Sequence, residues 1–519
     1  MREADVFRLR STALRINKGN RRFSGQQSED FLKMGKLDGL KPEKVFYYFE
    51  QLSRIPRGSY NVKAVSDYCT AFAKSRGLYV RQDEEYNVVI KKPASSGYGS
   101  AKTLMLQAHL DMVCVQDPQS TIDMTRDGIE LVVEDGFIHA DHTSLGADDG
   151  IGVAMALAVL DDDTIAHPDL EVVFTTEEEA GMEGAMALDT SDLRASYLLN
   201  LDSENEGHFL AGCAGGVRVT SVLPMETEQA QGLEVKLDIT GLIGGHSGDE
   251  IDKGRANANV LLGRLLLQIR KNISFGLVSV SGGEKDNAIP VESHAVLILR
   301  EGDADKMVEI VNEFGSRIRS EFHKADPSIR VCVTAGGMAA CPVMTDPMSG
   351  RVIFMLFEAP CGIQTMSMDL PGLVESSLNL GIVRTEDDTV SFTWSVRSSV
   401  ASLKEMIKDK LTLLTRYLGG EISFRGDYPQ WPYNPDSRIC ALCKEEYKKM
   451  FGKEAYIETI HAGLECGLFA EKMPGLDMVS MGPDAYDIHT PRERVSISSV
   501  DRCYRFILEV LKNFGSYCD

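Results

Sequence analysis

The chain has 519 residues, 43% hydrophobic and 25% charged, the proportions of an ordinary globular protein with room for roughly two to four domains. A formal net charge of −22, with no basic stripe to offset it, repels polyanions and excludes nucleic acid as a partner. No apolar run reaches the roughly 18 to 20 residues of a membrane-crossing helix, so no membrane partner is expected either.

Residues 1–25 carry seven Arg or Lys against two acids but no continuous apolar stretch, which disfavours a secretory signal. Residues 1–35 are therefore set aside as a poorly ordered extension. Pro42 opens a helix with apolar positions at 45, 46, 49, 52 and 55, an i, i+3, i+4 pattern that ends at Pro56. Over 36–215 short apolar runs alternate with helical stretches. The strands are expected at 86–92, 103–108, 170–176 and 197–201, with the helix DGIGVAMALAVL between the second and third. Strands alternating with helices predict an α/β domain with a parallel sheet.

Over 216–417 the texture changes to long alternating runs, VESSLNLGIVRT and TVSFTWSVRSS among them, mixed with amphipathic helices. That reads as a smaller α+β unit with antiparallel strands. The α/β texture returns over 418–519, so the economical organisation is one α/β domain interrupted by an inserted domain. Eleven scattered cysteines, an odd number, argue against a disulfide scaffold and for a reducing, cytoplasmic setting. Cys440 and Cys443 form a C-x2-C inside an amphipathic helix, without the second pair that a zinc finger needs.

Four apolar strands run into metal-ligand residue types: His109 and Asp111, Glu177 to Glu179, Asp202, and a loop bearing His489. A further acid, Asp148, precedes a helix in LGADDGIG. Ligands bind beyond the carboxyl ends of strands in open parallel sheets, so these segments are expected to converge. Converging carboxylates raise one another's pKa unless cations neutralise them. Asp148, Glu179 and Asp202 set three negative charges against two divalent ions, and two His with three carboxylates suit zinc, with manganese or cobalt as substitutes. Taken singly, each residue has a duller explanation: Asp148 as a helix cap, the glutamates as a solvated helix start, His246 in GGHSG as part of a turn, Arg397 as a surface ion-pair partner.

The ordered set of QAHLDMV, LGADDGIG, TEEEAGMEGA, NLDSE, AGCAGG, GGHSGDEI, NAIP, HAGLECG and the closing IHTP resembles the aminoacyl-histidine dipeptidases of the di-zinc aminoacylase and carboxypeptidase superfamily. The resemblance covers about residues 38–515. It implies a mixed-sheet zinc-binding catalytic domain split by an inserted lid, and hydrolysis of unblocked dipeptides, Xaa-His included, by a metal-bridging hydroxide. By motif, His109 and Asp202 would hold one zinc and His489 and Glu179 the other, with Asp148 bridging. Asp111 would orient His109, Glu178 would be the general base, and His246 would stabilise the oxyanion. Arg397 and Asn287 would bind the substrate's carboxylate end, and Glu465 its ammonium group. The family shows two glutamates before Ala-Gly where this chain has three, so the assignment is anchored on Glu178-Glu179-Ala180-Gly181, with a one-residue shift as the alternative. Rival readings are an N-acyl-amino-acid deacylase or aminotripeptidase with the same metal site, or a non-catalytic metal or peptide binding protein. The oligomeric state stays open, a homodimer being one option.

Overall fold

The computed structural model describes residues 35–368 and 370–518; the amino-terminal extension, all but its last residue, lies outside the described residues. Two large hydrophobic cores divide the chain. One gathers residues from Leu37 to Ala211 and again from Ile439 to Cys518, and the other gathers residues from Val217 to Leu418.

The first core is built on an eight-stranded sheet in the order 79–82, 88–92, 170–175, 104–109, 197–200, 477–480, 208–213, 456–460. Strands 170–175, 104–109, 197–200 and 477–480 are mutually parallel, whereas 88–92 and 208–213 run antiparallel to their neighbours in this block. The sheet is thus mixed, with its parallel block at the centre. These runs are almost wholly apolar because both faces are covered. Leu104, Leu106 and Ala108 pack into the main core beneath helices Glu43–Ser53 and Ala147–Leu160, while Met105 and Val173 point to a smaller core with Trp431 and Phe469 on the other face.

The second unit is a nine-stranded sheet whose recorded pairings are all antiparallel, covered by helices Ala258–Arg270, Ala304–Glu321, Asp346–Glu358 and Ala401–Tyr417. Its strand Glu421–Tyr428 lies past residue 417, the boundary expected from the sequence, and pairs with Gly215–Pro224. Most of its residues are exposed on the sheet edge, so it lacks the apolar alternation that marks the other strands. A third, four-stranded sheet joins 485–486 and 494–496 to 137–140 and 131–134. It anchors the hairpin that carries His489.

Candidate active site

His109 is the last residue of its strand, Glu178 and Glu179 follow strand 170–175, Asp202 follows 197–200, and the His489 hairpin follows 477–480. All four strands belong to the parallel block, so these residues share one rim of the sheet. Asp148 enters that rim from the mouth of helix Ala147–Leu160, where Asp148 and Asp149 depart from helical φ/ψ.

The contacts fall into two clusters that share one carboxylate. His109 Nε2 lies 2.9 Å from Asp148 Oδ1 and 3.6 Å from Asp202 Oδ1. His489 Nε2 lies 3.0 Å from Asp148 Oδ2 and 2.8 Å from Glu179 Oε1. Three groups, His109/Asp148/Asp202, His109/Glu178/Glu179 and Asp148/Glu179/His489, each bring their ligand atoms within 4.8 Å of one another. Burial opposes a charge on His109, but Asp202, Asp111 and Asp148 override it and hold its pKa well above the usual value. Hydrogen bonds to Asp148 and Glu179 push His489 up to about 10. The carboxylates thus draw positive charge onto whatever stands between them, and imidazole Nε2 with carboxylate oxygens is the donor set of a divalent cation site.

Supporting contacts set the geometry. Asp111, fully buried, accepts the Glu178 amide on Oδ1 (3.0 Å) and the Glu179 amide on Oδ2 (3.2 Å), and its carbonyl lies 3.2 Å from His109 Nδ1. It therefore orients the imidazole and the glutamate pair together. Of the three glutamates, Glu177 turns away: it takes the left-handed conformation (φ 55°) and accepts the Tyr60 amide at 2.6 Å. Glu178 faces His109, Asp202 and Glu465, and burial raises its pKa well above the ordinary carboxylate value.

The inserted unit presents a second constellation. His246 Nε2 lies 3.2 Å from Arg397 Nη2, and Arg397 Nη1 donates to Tyr428 Oη at 3.1 Å. Arg397, Asn287 and Tyr428 line a cleft of about 370 Å³ whose opposite wall is Ala180, Gly181 and Glu183, the segment following Glu179. Arg397 and Tyr428 thus share a cleft with the segment that follows Glu179.

Glu465 departs from its expected place. It is fully buried beneath the rim, with Oε2 accepting from Gln107 and Thr175, each at 2.6 Å, and burial lifts its carboxyl to about 8. An ammonium group finds no exposed surface on it, so the sequence reading of Glu465 as the ammonium partner is not met here.

Other contributors escaped sequence reasoning. Asp149 caps the helix by accepting the Gly152 amide at 3.2 Å, a local signal present in D-G-I-G. Arg57, fully buried, donates to the carbonyls of Leu110 (2.9 Å), Asp111 (3.0 Å) and Gly146, and no local pattern announces it.

Fold and site together present a rim of candidate cation ligands on one unit and a histidine–arginine pair on the inserted unit. The pattern of peptidase family M20/M25/M40 matches residues 105–513, and the chain belongs to that family of metallopeptidases. It is 36% identical to the cytosol non-specific dipeptidase of Escherichia coli over 92% of this chain and 99% of that protein. The crystal structure of an aminoacylhistidine dipeptidase from Vibrio alginolyticus superposes with a TM-score of 0.85 at 35% identity, covering 92% of this chain and 97% of that one. Aminopeptidase PepT from Bacillus cereus shares the fold, with a TM-score of 0.53 at 16% identity.

Proposed function

We propose that the chain is a cytoplasmic dipeptidase that hydrolyses unblocked dipeptides, Xaa-His among them, with two zinc ions. The observation that carries this reading is the division of Asp148, one oxygen toward His109 and the other toward His489, with Arg397 of the inserted unit lining a cleft beside the segment that follows Glu179. Near full-length similarity to the Escherichia coli and Vibrio alginolyticus dipeptidases supports it. His109 and Asp202 would hold one ion and His489 and Glu179 the other, with Asp148 between them. When bound, such ions polarise the scissile carbonyl and acidify water.

Glu178 takes the proton from the attacking water and returns it to the leaving amine. Arg397 pairs its planar fork with the substrate's terminal carboxylate, and Asn287 lines the same end of the cleft. His246 donates to the oxyanion. In the present arrangement Arg397 Nη2 donates to His246 Nε2 at 3.2 Å, and Nδ1 lies 3.3 Å from both the Asp249 amide, which donates to it, and Asp249 Oδ2. A substrate carboxylate that draws Arg397 away frees Nε2, which must then carry a proton to donate to the oxyanion.

The test is a hydrolysis panel of free dipeptides, N-acetylated amino acids and tripeptides, run after chelation and after return of zinc, manganese or cobalt. Cleavage of free dipeptides restored by metal supports the reading. Preference for the acetylated compounds or the tripeptides transfers it to the deacylase or aminotripeptidase alternative.

A further inference from the structure

The cleft wall that carries Arg397 bears two more arginines on the same face. In the lid sheet Ser395 pairs with Arg218, and Arg218 pairs with Arg425, so these side chains project to one side. Arg397, two residues beyond Ser395 on its strand, projects the same way. All four line the one cleft of about 370 Å³.

Arg218 and Arg425 stand directly opposite each other, an arrangement in which like charges repel. Asp286 neutralises one of them: its carboxylate takes Arg218 Nε at 2.5 Å and Nη2 at 2.8 Å in a two-pronged pair. The Arg425 side chain is exposed and has neither ion pair nor hydrogen bond among the described residues. Arg397 is buried and committed to His246 and Tyr428. The sheet therefore holds an uncompensated guanidinium on the wall where the substrate's carboxylate end is read. Glu183, the acid on the facing wall, makes no ion pair with it.

Resting on the dipeptidase reading, we infer that Arg425 is a specificity-determining residue that pairs with a second carboxylate of the substrate, the side chain of a carboxyl-terminal aspartate or glutamate. In such a dipeptide the two carboxylates are separated by only one or two methylenes plus the α-carbon. Arg397 takes the main-chain carboxylate while Arg425, exposed and without an ion-pair partner, takes the other. A guanidinium without a protein counter-ion gains most from such a partner, because it gives up no existing pair.

The test compares Ala-Asp with Ala-Asn, its neutral isostere, using metal-loaded full-length wild type and Arg425→Gln. The ratio of kcat/KM for the two substrates cancels differences in folding and metal content within each protein. We expect wild type to favour Ala-Asp by about 10-fold, the order that a charge-assisted hydrogen bond supplies, and Arg425→Gln to bring the ratio close to one. A wild-type ratio of one or below, or a ratio unchanged by Arg425→Gln, overturns the inference. Wild type that cleaves neither Ala-Asp nor Ala-Asn nor any other free dipeptide would instead overturn the dipeptidase reading, a distinct result.

Discussion

The carboxylate of Glu493 closes the end of the helix that carries Asp148. Its Oε2 accepts the amides of Leu145 (2.7 Å) and Gly146 (2.9 Å), and its Oε1 those of Ala147 (2.7 Å) and Asp148 (3.4 Å). A buried anion at four unpaired amides is well placed against the helix dipole. Glu493 also lies four residues past His489, so it ties one candidate ligand to the loop of the other.

Glu493→Gln should therefore loosen both. It leaves one acceptor oxygen for four amides, and outer partners of metal ligands typically contribute about 10- to 100-fold in affinity. Competition with a chromophoric chelator should show weaker binding of at least one ion by that order while circular dichroism at low temperature stays native. Unaltered affinity for both ions would remove Glu493 from the metal site's support.

The two imidazoles make the metal-free protein sensitive to pH. His489 has its folded-state pKa raised from 6.5 to about 10 by Asp148 and Glu179, and His109 is raised as well. A raised imidazole pKa contributes stability that is complete below about 6.5 and is lost as pH rises through the folded value. The Tm of chelator-treated protein should accordingly fall between neutral pH and pH 10, and His489→Gln should flatten that fall. Metal binding near pH 7.5 must displace these protons, so calorimetry in buffers of different ionisation enthalpy should report net proton release. Binding without proton release would show that the histidines are neutral before the ions arrive.

Glu178→Gln preserves shape and removes the proton acceptor. General-base catalysis is typically worth about 10²- to 10⁴-fold, and kcat should drop by that order while metal content holds. Glu177, engaged with the Tyr60 amide instead, should tolerate the same change with a loss of less than 10-fold. The reverse ranking would move the base by one residue.

On the lid, His246→Ala should lower kcat chiefly, because an oxyanion exists only after attack. Arg397→Ala should raise KM, and amidation of the substrate's carboxyl terminus should harm wild type far more than it harms this variant. Equal harm to both proteins would mean that Arg397 does not read the carboxylate.

Much of this arrangement is written locally in the chain. Strands 104–109, 170–175 and 197–200 are apolar runs whose length and flanks are visible without a structure, and each ends at or beside a ligand type because the sheet's carboxyl rim is where ligands collect. The ordered motifs named the family. The adjacent Asp148 and Asp149 also had a local meaning, one turned to the rim and one capping a helix.

Other features depend on contacts that no window of sequence contains. His489 meets Asp148 across 341 residues and Glu493 meets Leu145 across 348, so only the folded chain determines that Asp148 divides its oxygens between two histidines. Which of three consecutive glutamates faces the cluster was decided by the left-handed turn at Glu177 and by the two amides that Asp111 accepts. The burial of Glu465 came from its fit between Gln107 and Thr175, and the placement of Arg57 from three carbonyls on two distant segments. Hydrophobic periodicity reports which face of an element is dry. A buried polar group is held instead by partners brought from elsewhere, backbone carbonyls for Arg57 and the side chains of Gln107 and Thr175 for Glu465, and no local window of sequence displays them.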